Sequence, residues 1–292
     1  DPNVSPNAIE APTEEGDPVD EDCDGETDED DSVQCDENIP IDTSLPLVAA
    51  RSLELCKLSE GDDDWGLVSA QWVLPDGSAP PQAFSNEYSL GHGVLPNFGF
   101  NVTPRMGESM LALSSGAARD ESQPGYHYPS SYVKGYSSPH PDGFPQESPS
   151  CPGVITGEPH DGAGLELVIN TPSNGYGIAF DIYFFTYEWP VFVCDQYNDF
   201  FVALLSPQLD ANAPNENISF DSLGNPISVN NALLDVCGCS GGPPCMAGGK
   251  SFDCALGTDD LLGTGFDLDS DTFGMQWHAG TGWLSTTAPV KP

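Results

Sequence analysis

Hydrophobic and polar residues alternate over several short stretches of this chain, which is the pattern of half-buried β-strands. The clearest stretch is Ile178–Tyr187, in which Ile178, Phe180, Ile182 and Phe184 would share one face. Further strands are predicted at Trp65–Leu74, Met110–Leu113, Leu165–Asn170, Asp199–Leu205, Ile218–Phe220, Ile227–Val229 and Gly282–Thr287. In pattern, the 199–205 strand pairs well with the 178–187 strand. Many short strands separated by turn residues predict an all-β fold, a β-sandwich of jelly-roll type.

Two other stretches break this pattern. Residues 44–56 predict a short helix, with Ser44 as N-cap, Pro46 in the first turn, and Leu47, Leu53 and Leu55 making apolar contacts. Residues 120–162 are rich in Gly, Pro, Ser and Tyr and predict a long loop. A loop of that length within a domain is either functional or fixed by contacts.

Nine cysteines indicate an oxidising compartment, because cytosolic chains rarely carry so many without a metal or redox motif. We expect mostly disulfides, and the odd count leaves one thiol free or paired outside the chain. Cys151 would pin the long loop. The last four cysteines do not match a common zinc-finger spacing, and the Gly and Pro residues among them favour disulfides. The connectivity stays open among Cys23, Cys35, Cys56, Cys151, Cys194, Cys237, Cys239, Cys245 and Cys254.

The chain is strongly acidic. The formal net charge is -39, from 46 acidic and 7 basic residues. Nucleic acid is therefore excluded as an expected partner, because phosphate contacts need clustered Lys and Arg. Self-repulsion on this scale is costly unless cations screen or bind the charge. The sequence contains no apolar run near the length that spans a membrane.

The acidic residues concentrate in the stretch DEDCDGETDEDD, which begins at residue 20. Calcium loops place oxygen ligands at alternate positions and a glycine at the sixth, where the chain turns sharply. Gly25 is the sixth residue here. The other ligand positions, 1, 3, 5, 7 (by its backbone carbonyl), 9 and 12, fall on Asp20, Asp22, Asp24, Glu26, Asp28 and Asp31. The alternative is a solvated run of like charges, but the glycine register favours a Ca²⁺ loop.

This charge distribution suggests three regions. Residues 1–19 are acidic and Pro-rich, and should be extended or disordered unless another surface orders them. Residues 20–43 form the calcium-binding-like module, and residues 44–292 form the β-sandwich. A weaker calcium candidate, Asp267–Asp271, lacks the glycine at the sixth position and is better explained as a solvated turn.

A second set of polar residues, Glu188, Asn198 and Asp199, lies near predicted strand ends. From spacing alone these side chains are best explained as loop caps. The motifs G-x-S-x-G, H-E-x-x-H and the P-loop are absent, and the five His residues are scattered, so we predict no enzyme. The Tyr residues of the long loop could stack on sugars, but they more often cover their own sheet.

Two resemblances extend this interpretation. The acidic stretch resembles a metal-binding repeat of bacterial surface proteins, of the form D-G-x-D-N-D-C-D-G-x-x-D-E. That repeat commonly carries a second Cys before the loop, where this chain has Gly16, so Cys23 needs another partner. Cys35 is the nearest and Cys56 is the alternative.

The motifs EWP at 188–190 and YNDFF at 197–201 are similar to the choice-of-anchor L domain of secreted and surface bacterial proteins. GVLPNFG at 93–99, LALSSG at 111–116, CSGGPPCMAGGKSFDC at 239–254 and TGWLSTTAPVKP at 281–292 extend the resemblance over about residues 45–292. It implies a β-rich extracellular domain without a defined enzymatic activity. It also favours a polar or calcium site formed by Glu188, Asn198 and Asp199.

Members of that family continue with two further strands beyond the point where this chain ends. A sandwich without them would expose a sheet edge that can pair with another chain. One expectation is a filament in which Asp1–Val19 is the donated strand; the other is an incomplete chain or a cleaved tail. The sequence thus predicts a secreted, calcium-stabilised structural or adhesive protein of a bacterial surface, which associates with itself or with another surface protein. The alternative is a carbohydrate-binding module or an extracellular hydrolase.

Overall fold

The computed structural model describes residues 3–13, 16–28, 34–61, 64–209, 215–221, 223–230, 233–267 and 277–291. These residues form a β-rich fold with few and short helices. The strands are β1 (Gly66–Val73), β2 (His92–Leu95), β3 (Met110–Leu113), β4 (Gly164–Asn170), β5 (Gly177–Thr186), β6 (Phe200–Phe201), β7 (Ile227–Ser228), β8 (Cys245–Ala247), β9 (Lys250–Phe252) and β10 (Ala279–Pro289). The α-helices are α1 (Pro46–Ala49) and α2 (Ser85–Leu90), and 3₁₀ turns cover Ala50–Leu53, Gln82–Phe84, Pro129–Ser131 and Asp259–Leu261. None of the helices in these ranges is long and apolar enough to cross a bilayer.

Antiparallel pairs organise the described strands into five two-stranded sheets: β1–β4, β2–β3, β5–β10, β6–β7 and β8–β9. The two long pairs are regular except for one irregularity each, between Leu67 and Ser69 in β1 and between Gly280 and Trp283 in β10. Burial alternates along the first half of β5 and confirms the predicted apolar face there, whereas both faces of the second half are partly buried. The strands predicted at 65–74, 110–113, 165–170, 178–187 and 282–287 are all present, and β10 is longer than predicted.

The prediction for the 199–205 region is wrong in length and pairing. Only Phe200 and Phe201 form a strand there, and this strand pairs with β7 instead of with β5. The predicted strand at 218–220 is also absent. Isolated bridges at Asn217 and Phe220 take its place. Local pattern cannot choose a pairing partner, since β5 finds its partner about a hundred residues further along the chain, in β10.

The predicted helix exists but is shorter and differently oriented. It begins at Pro46, so the proline does lie in the first turn, but the N-cap is Leu45 and no side chain caps it. Ala49, Ala50 and Ser52 face the interior, whereas Leu47 and Leu53 are exposed. Small residues allow the short helix to approach the sheet closely, so the leucines are not its anchors.

The main hydrophobic core lies between the second half of β5, the β6–β7 pair and the β8–β9 hairpin. Its fully buried side chains include Trp189, Ile227, Val229 and Leu234. Cysteines contribute to this core directly, through Cys237, Cys245 and Cys254. A smaller cluster of Leu74, Tyr88 and Tyr136 packs under the long loop.

Four disulfides join Cys35 to Cys56, Cys151 to Cys194, Cys237 to Cys254, and Cys239 to Cys245. The predicted preference for disulfides over zinc in the last four cysteines is confirmed. Cys23 is the free thiol and is exposed. The expected pairing of Cys23 with Cys35 or Cys56 is wrong, because those two cysteines bond to each other across 5.7 Å between their Cα atoms.

The long 120–162 loop is fixed by contacts, as its length suggested. Asp161 accepts hydrogen bonds from the backbone N–H groups of Lys134 (2.9 Å) and Tyr136 (3.0 Å). The Lys134 ammonium group donates to the Ser114 carbonyl at 2.8 Å. The Cys151–Cys194 bond then ties the far end of the loop to the segment between β5 and β6.

Candidate functional site

The acidic loop folds inward around its own carboxylates. The two carboxylate oxygens of Asp20 accept hydrogen bonds from the N–H groups of Asp24 and Gly25, each at 3.1 Å. Asp22 also accepts from the Asp24 N–H at 3.1 Å. Gly25 has φ of 102°, a backbone conformation that favours glycine. The sharp turn predicted at this residue is therefore present.

Glu10, which was not among the predicted ligands, completes this arrangement from ten residues upstream of the loop. Its carboxylate accepts hydrogen bonds from the N–H groups of Glu21 (2.7 Å), Asp22 (3.2 Å) and Asp28 (2.8 Å). Carboxylate oxygens of Glu10, Asp20 and Asp22 lie within 4.8 Å of one another, so the group can hold a metal ion. No local signal marks Glu10, because a ligand outside the loop register is visible only once the chain is folded.

The other described ligands predicted for the acidic loop lie outside the group formed by Glu10, Asp20 and Asp22. Asp24 accepts a hydrogen bond from the Glu26 N–H at 2.8 Å, and neither residue belongs to the three-carboxylate group. Asp28 accepts two hydrogen bonds from Thr13, from its N–H at 2.7 Å and its hydroxyl at 2.8 Å. Asp31 falls outside the described residues. The structure therefore brings together Asp20 and Asp22 from the predicted set.

The N-terminal segment 3–13 lies against the loop that joins β4 to β5. The Asn174 side chain makes two hydrogen bonds to the backbone of Ile9. It accepts one from the Ile9 N–H (3.1 Å) and donates one to the Ile9 carbonyl (2.8 Å). The Ser173 N–H donates to the Asn7 carbonyl at 2.7 Å, and Ala8 is fully buried. Another surface thus orders this acidic, Pro-rich segment. Glu10 is placed beside the acidic loop by these contacts.

Glu188 and Asp199 come together at the second predicted site. One carboxylate oxygen of Glu188 accepts a hydrogen bond from the Asp199 N–H at 2.9 Å, and the Glu188 N–H donates to the Thr186 hydroxyl at 3.1 Å. Burial raises the pKa of Glu188, and the nearby charge of Asp199 raises it further. Burial likewise raises the pKa of Asp199. Two desolvated carboxyl groups side by side favour either a proton or a cation between them.

Asn198 lies in the same region, but its side chain is used in hydrogen bonds that hold the neighbouring loops. Its side chain accepts a hydrogen bond from the Asn230 N–H (3.1 Å) and donates to the Thr156 hydroxyl (3.2 Å). Asn230 in turn accepts from the Cys194 N–H at 2.7 Å. This network joins the strand ends to the Cys151–Cys194 disulfide. Asn198 therefore acts as the loop cap that spacing alone indicated.

Two weaker predictions have partial outcomes. Asp267 accepts a hydrogen bond from the Gly263 N–H at 3.3 Å, and the rest of the 267–271 candidate lies outside the described residues. In the Tyr-rich loop, Tyr136 is buried in the smaller core cluster and Tyr128 contacts Tyr187. Both of these tyrosines contact their own domain, as expected.

No protein-family model, curated protein or solved structure matches this chain. The resemblance to choice-of-anchor L domains therefore stays a prediction.

Proposed function

We propose that this chain is a secreted structural or adhesive protein of a bacterial surface, whose N-terminal module is stabilised by Ca²⁺. The observation that carries the proposal is the convergence of Glu10, Asp20 and Asp22 within 4.8 Å. A cation there would join segment 3–13, which is fastened to the β4–β5 loop, to the acidic loop that follows it. The β-rich domain, a jelly-roll sandwich in this proposal, would then present its surface to neighbours.

Calcium is the cation that best fits these donors. All three side chains offer carboxylate oxygens, which hard cations prefer, and Ca²⁺ accepts irregular sets of six to eight oxygens that include water and backbone carbonyls. Three converging carboxylates repel one another unless a cation neutralises them. The chain as a whole, at a net charge of -39, also gains from cation binding.

Four disulfides support a location outside the cytosol. Disulfides persist in oxidising compartments, and reducing conditions would release the loops that they fix. Self-association is the partner choice that we favour, since two-stranded sheets have open edges that can accept a strand. Segment 3–13 is the candidate for exchange, because polar contacts to residues 173 and 174 are what join it to the loop between β4 and β5.

The decisive experiment is a calcium titration of the full chain by calorimetry, together with thermal melts in EDTA, Ca²⁺ and Mg²⁺. Asp20→Asn with Asp22→Asn should abolish the binding event assigned to the loop and the stabilisation that accompanies it. Glu10→Gln should weaken the same event. Asp17→Asn removes an exposed acidic residue outside the group and should change neither measurement. Identical titrations for the wild type and the double variant would refute the proposed loop site.

The assembly part of the proposal needs its own observation. Electron microscopy and size-exclusion chromatography of the protein with Ca²⁺ should show polymers that disperse when EDTA is added. A monodisperse monomer in both conditions would rule out the filament and leave the calcium module standing.

A further inference from the structure

A second pair of carboxylates lies outside the acidic loop, where segment 34–38 passes the end of the first helix. Asp36 is 1% exposed. Its Oδ2 accepts hydrogen bonds from the N–H groups of Glu108 (2.6 Å) and Ser109 (2.7 Å), and from the Ser109 hydroxyl (3.0 Å). Its Oδ1 is buried and has no hydrogen-bond donor among the described residues. A buried carboxylate oxygen without a partner is costly, and it indicates that something other than a described donor satisfies it.

Glu54 faces Asp36 across a gap that a glycine keeps open. A Cβ at residue 107 would stand 2.2 Å from Glu54 Oε1 and 2.5 Å from Asp36 Oδ2, so both carboxylates converge on this point. Gly107 also has φ of 62°, which a residue with a side chain rarely adopts. Any side chain at 107 would close the space between the two carboxylates.

A disulfide fixes both arms of the pair. Asp36 directly follows Cys35, Glu54 precedes Cys56 by two residues, and Cys35 and Cys56 are bonded. The disulfide therefore holds the backbone of the two segments together, and this keeps both carboxylates within reach of one ion.

No ion pair of the described residues joins a basic side chain to Asp36 or Glu54. Burial opposes ionisation of Asp36, but the hydrogen bonds from Glu108 and Ser109 outweigh it and lower the pKa of this carboxyl. Desolvation raises the pKa of Glu54, and the charge of Asp36 raises it further. Within the described ranges the ion pairs are Lys57–Asp64 and Arg105–Asp181, and neither involves this pair.

We propose that Asp36 and Glu54 hold a hard divalent cation, Ca²⁺ being the best fit, at a site separate from the acidic loop. The ion would take the Glu54 carboxylate and the Asp36 carboxylate as ligands, the latter because its Oδ2 lies beside Glu54 and its Oδ1 has no hydrogen-bond donor among the described residues, with water or backbone carbonyls completing the shell. It would fasten the disulfide-closed 35–56 segment to residues 107–109, next to β3. The site shares no residue with the three-carboxylate group, so the two can fail independently.

The test uses the full chain carrying Asp20→Asn and Asp22→Asn as the parent, titrated with Ca²⁺ by calorimetry. The parent should still bind one Ca²⁺, and adding Glu54→Gln should weaken that binding at least about tenfold, as loss of a group supporting a metal site commonly does. Glu54 is exposed, so its substitution should leave folding intact. Glu37→Gln, an exposed glutamate beside Asp36, is the matched control and should leave binding unchanged.

Asp36→Asn in the same parent provides a second readout. The amide can keep its oxygen toward the donors of Glu108 and Ser109, and it removes the negative charge that repels Glu54. This variant should melt at a higher temperature than the parent in EDTA, and Ca²⁺ should not raise its melting temperature further.

The proposal is overturned if the parent binds no Ca²⁺ or if the parent carrying Glu54→Gln binds it equally well. It is also overturned if acidification alone stabilises the parent while Ca²⁺ has no effect, which would indicate a shared proton. Wild type and parent binding equal numbers of ions would reject the acidic-loop site and leave this one.

Discussion

At the residue scale, the unusual groups are ionisable side chains whose charged form is opposed by burial or by a neighbouring like charge. Glu188 and Asp199 adjoin each other, and Asp36 faces Glu54. Lys134 is 2% exposed, and burial lowers its pKa to about 7 although its ammonium group donates to the Ser114 carbonyl. Such groups cost folding free energy in their charged forms. They are therefore the positions at which pH or a bound cation should change stability most.

Glu188→Gln tests this cost at the second site. A carboxyl whose pKa is raised by folding stabilises the protein below its unfolded pKa, and this contribution is lost as the pH rises through the raised value. In EDTA, Glu188→Gln should therefore be more stable than wild type at a pH of about 8, by an amount on the order of a few kcal/mol, because a tenfold change in an ionisation constant corresponds to about 1.4 kcal/mol. The advantage should vanish near pH 4.5, the ordinary glutamate value.

Chemical denaturation across this pH range measures the difference. Glu158→Gln, an exposed glutamate of the long loop, is the control and should track wild type throughout. A constant difference between Glu188→Gln and wild type at all pH values would contradict the assigned cause.

At the element scale, long strands with clear alternation followed directly from the sequence. β3 has the bounds predicted for it, and β1, β4 and β5 differ by only one or two residues. The missed elements carry a different signal. β2 is buried along its whole length and so shows no alternation. The β8–β9 hairpin turns at Gly248 and Gly249, which both have positive φ. A Gly-Gly pair is typical of a hairpin turn, but in the sequence these glycines were interpreted together with the neighbouring cysteines as part of a disulfide-bonded segment.

Asn174→Ala tests how the N-terminal segment is fastened. Two hydrogen bonds to Ile9 would be lost, each worth about 0.5–1.5 kcal/mol, so segment 3–13 should open more often. Hydrogen exchange at residues 5–11 should become faster, while exchange in β5 and β10 stays unchanged. Tyr176→Phe, which loses only a 3.4 Å contact to Asn3 in the same loop, should have a much smaller effect. Equal exchange in all three proteins would show that other contacts hold the segment.

At the scale of the whole molecule, charge dominates. A net charge of -39 repels itself, and the two ion pairs of the described residues offset little of it. Four disulfides and a core that contains cysteines oppose this repulsion. The free energy of unfolding should therefore depend strongly on ionic strength.

Raising NaCl from about 0.01 M to about 1 M shortens the screening length roughly tenfold and should raise the melting temperature at pH 7. The same series at the isoelectric pH of about 4.1 should show almost no effect, because the net charge is then near zero. CaCl₂ at matched ionic strength should add a further increase at pH 7 if the carboxylate sites bind it. Equal salt effects at the two pH values would mean that screening of net charge is not the cause.

Residue pattern and composition were enough to predict the β-rich class, the principal strands, the preference for disulfides, the turn at Gly25 and the polar character of residues 188, 198 and 199. These features depend on local periodicity, residue chemistry or composition, which a linear pattern carries. Only the tertiary structure decided that β5 pairs with β10, that Cys35 bonds to Cys56, and that Glu10 joins Asp20 and Asp22. It also placed Glu54 against Asp36. Each of these contacts joins residues distant along the chain, and the choice among them depends on the packing of the whole molecule, which no local pattern encodes.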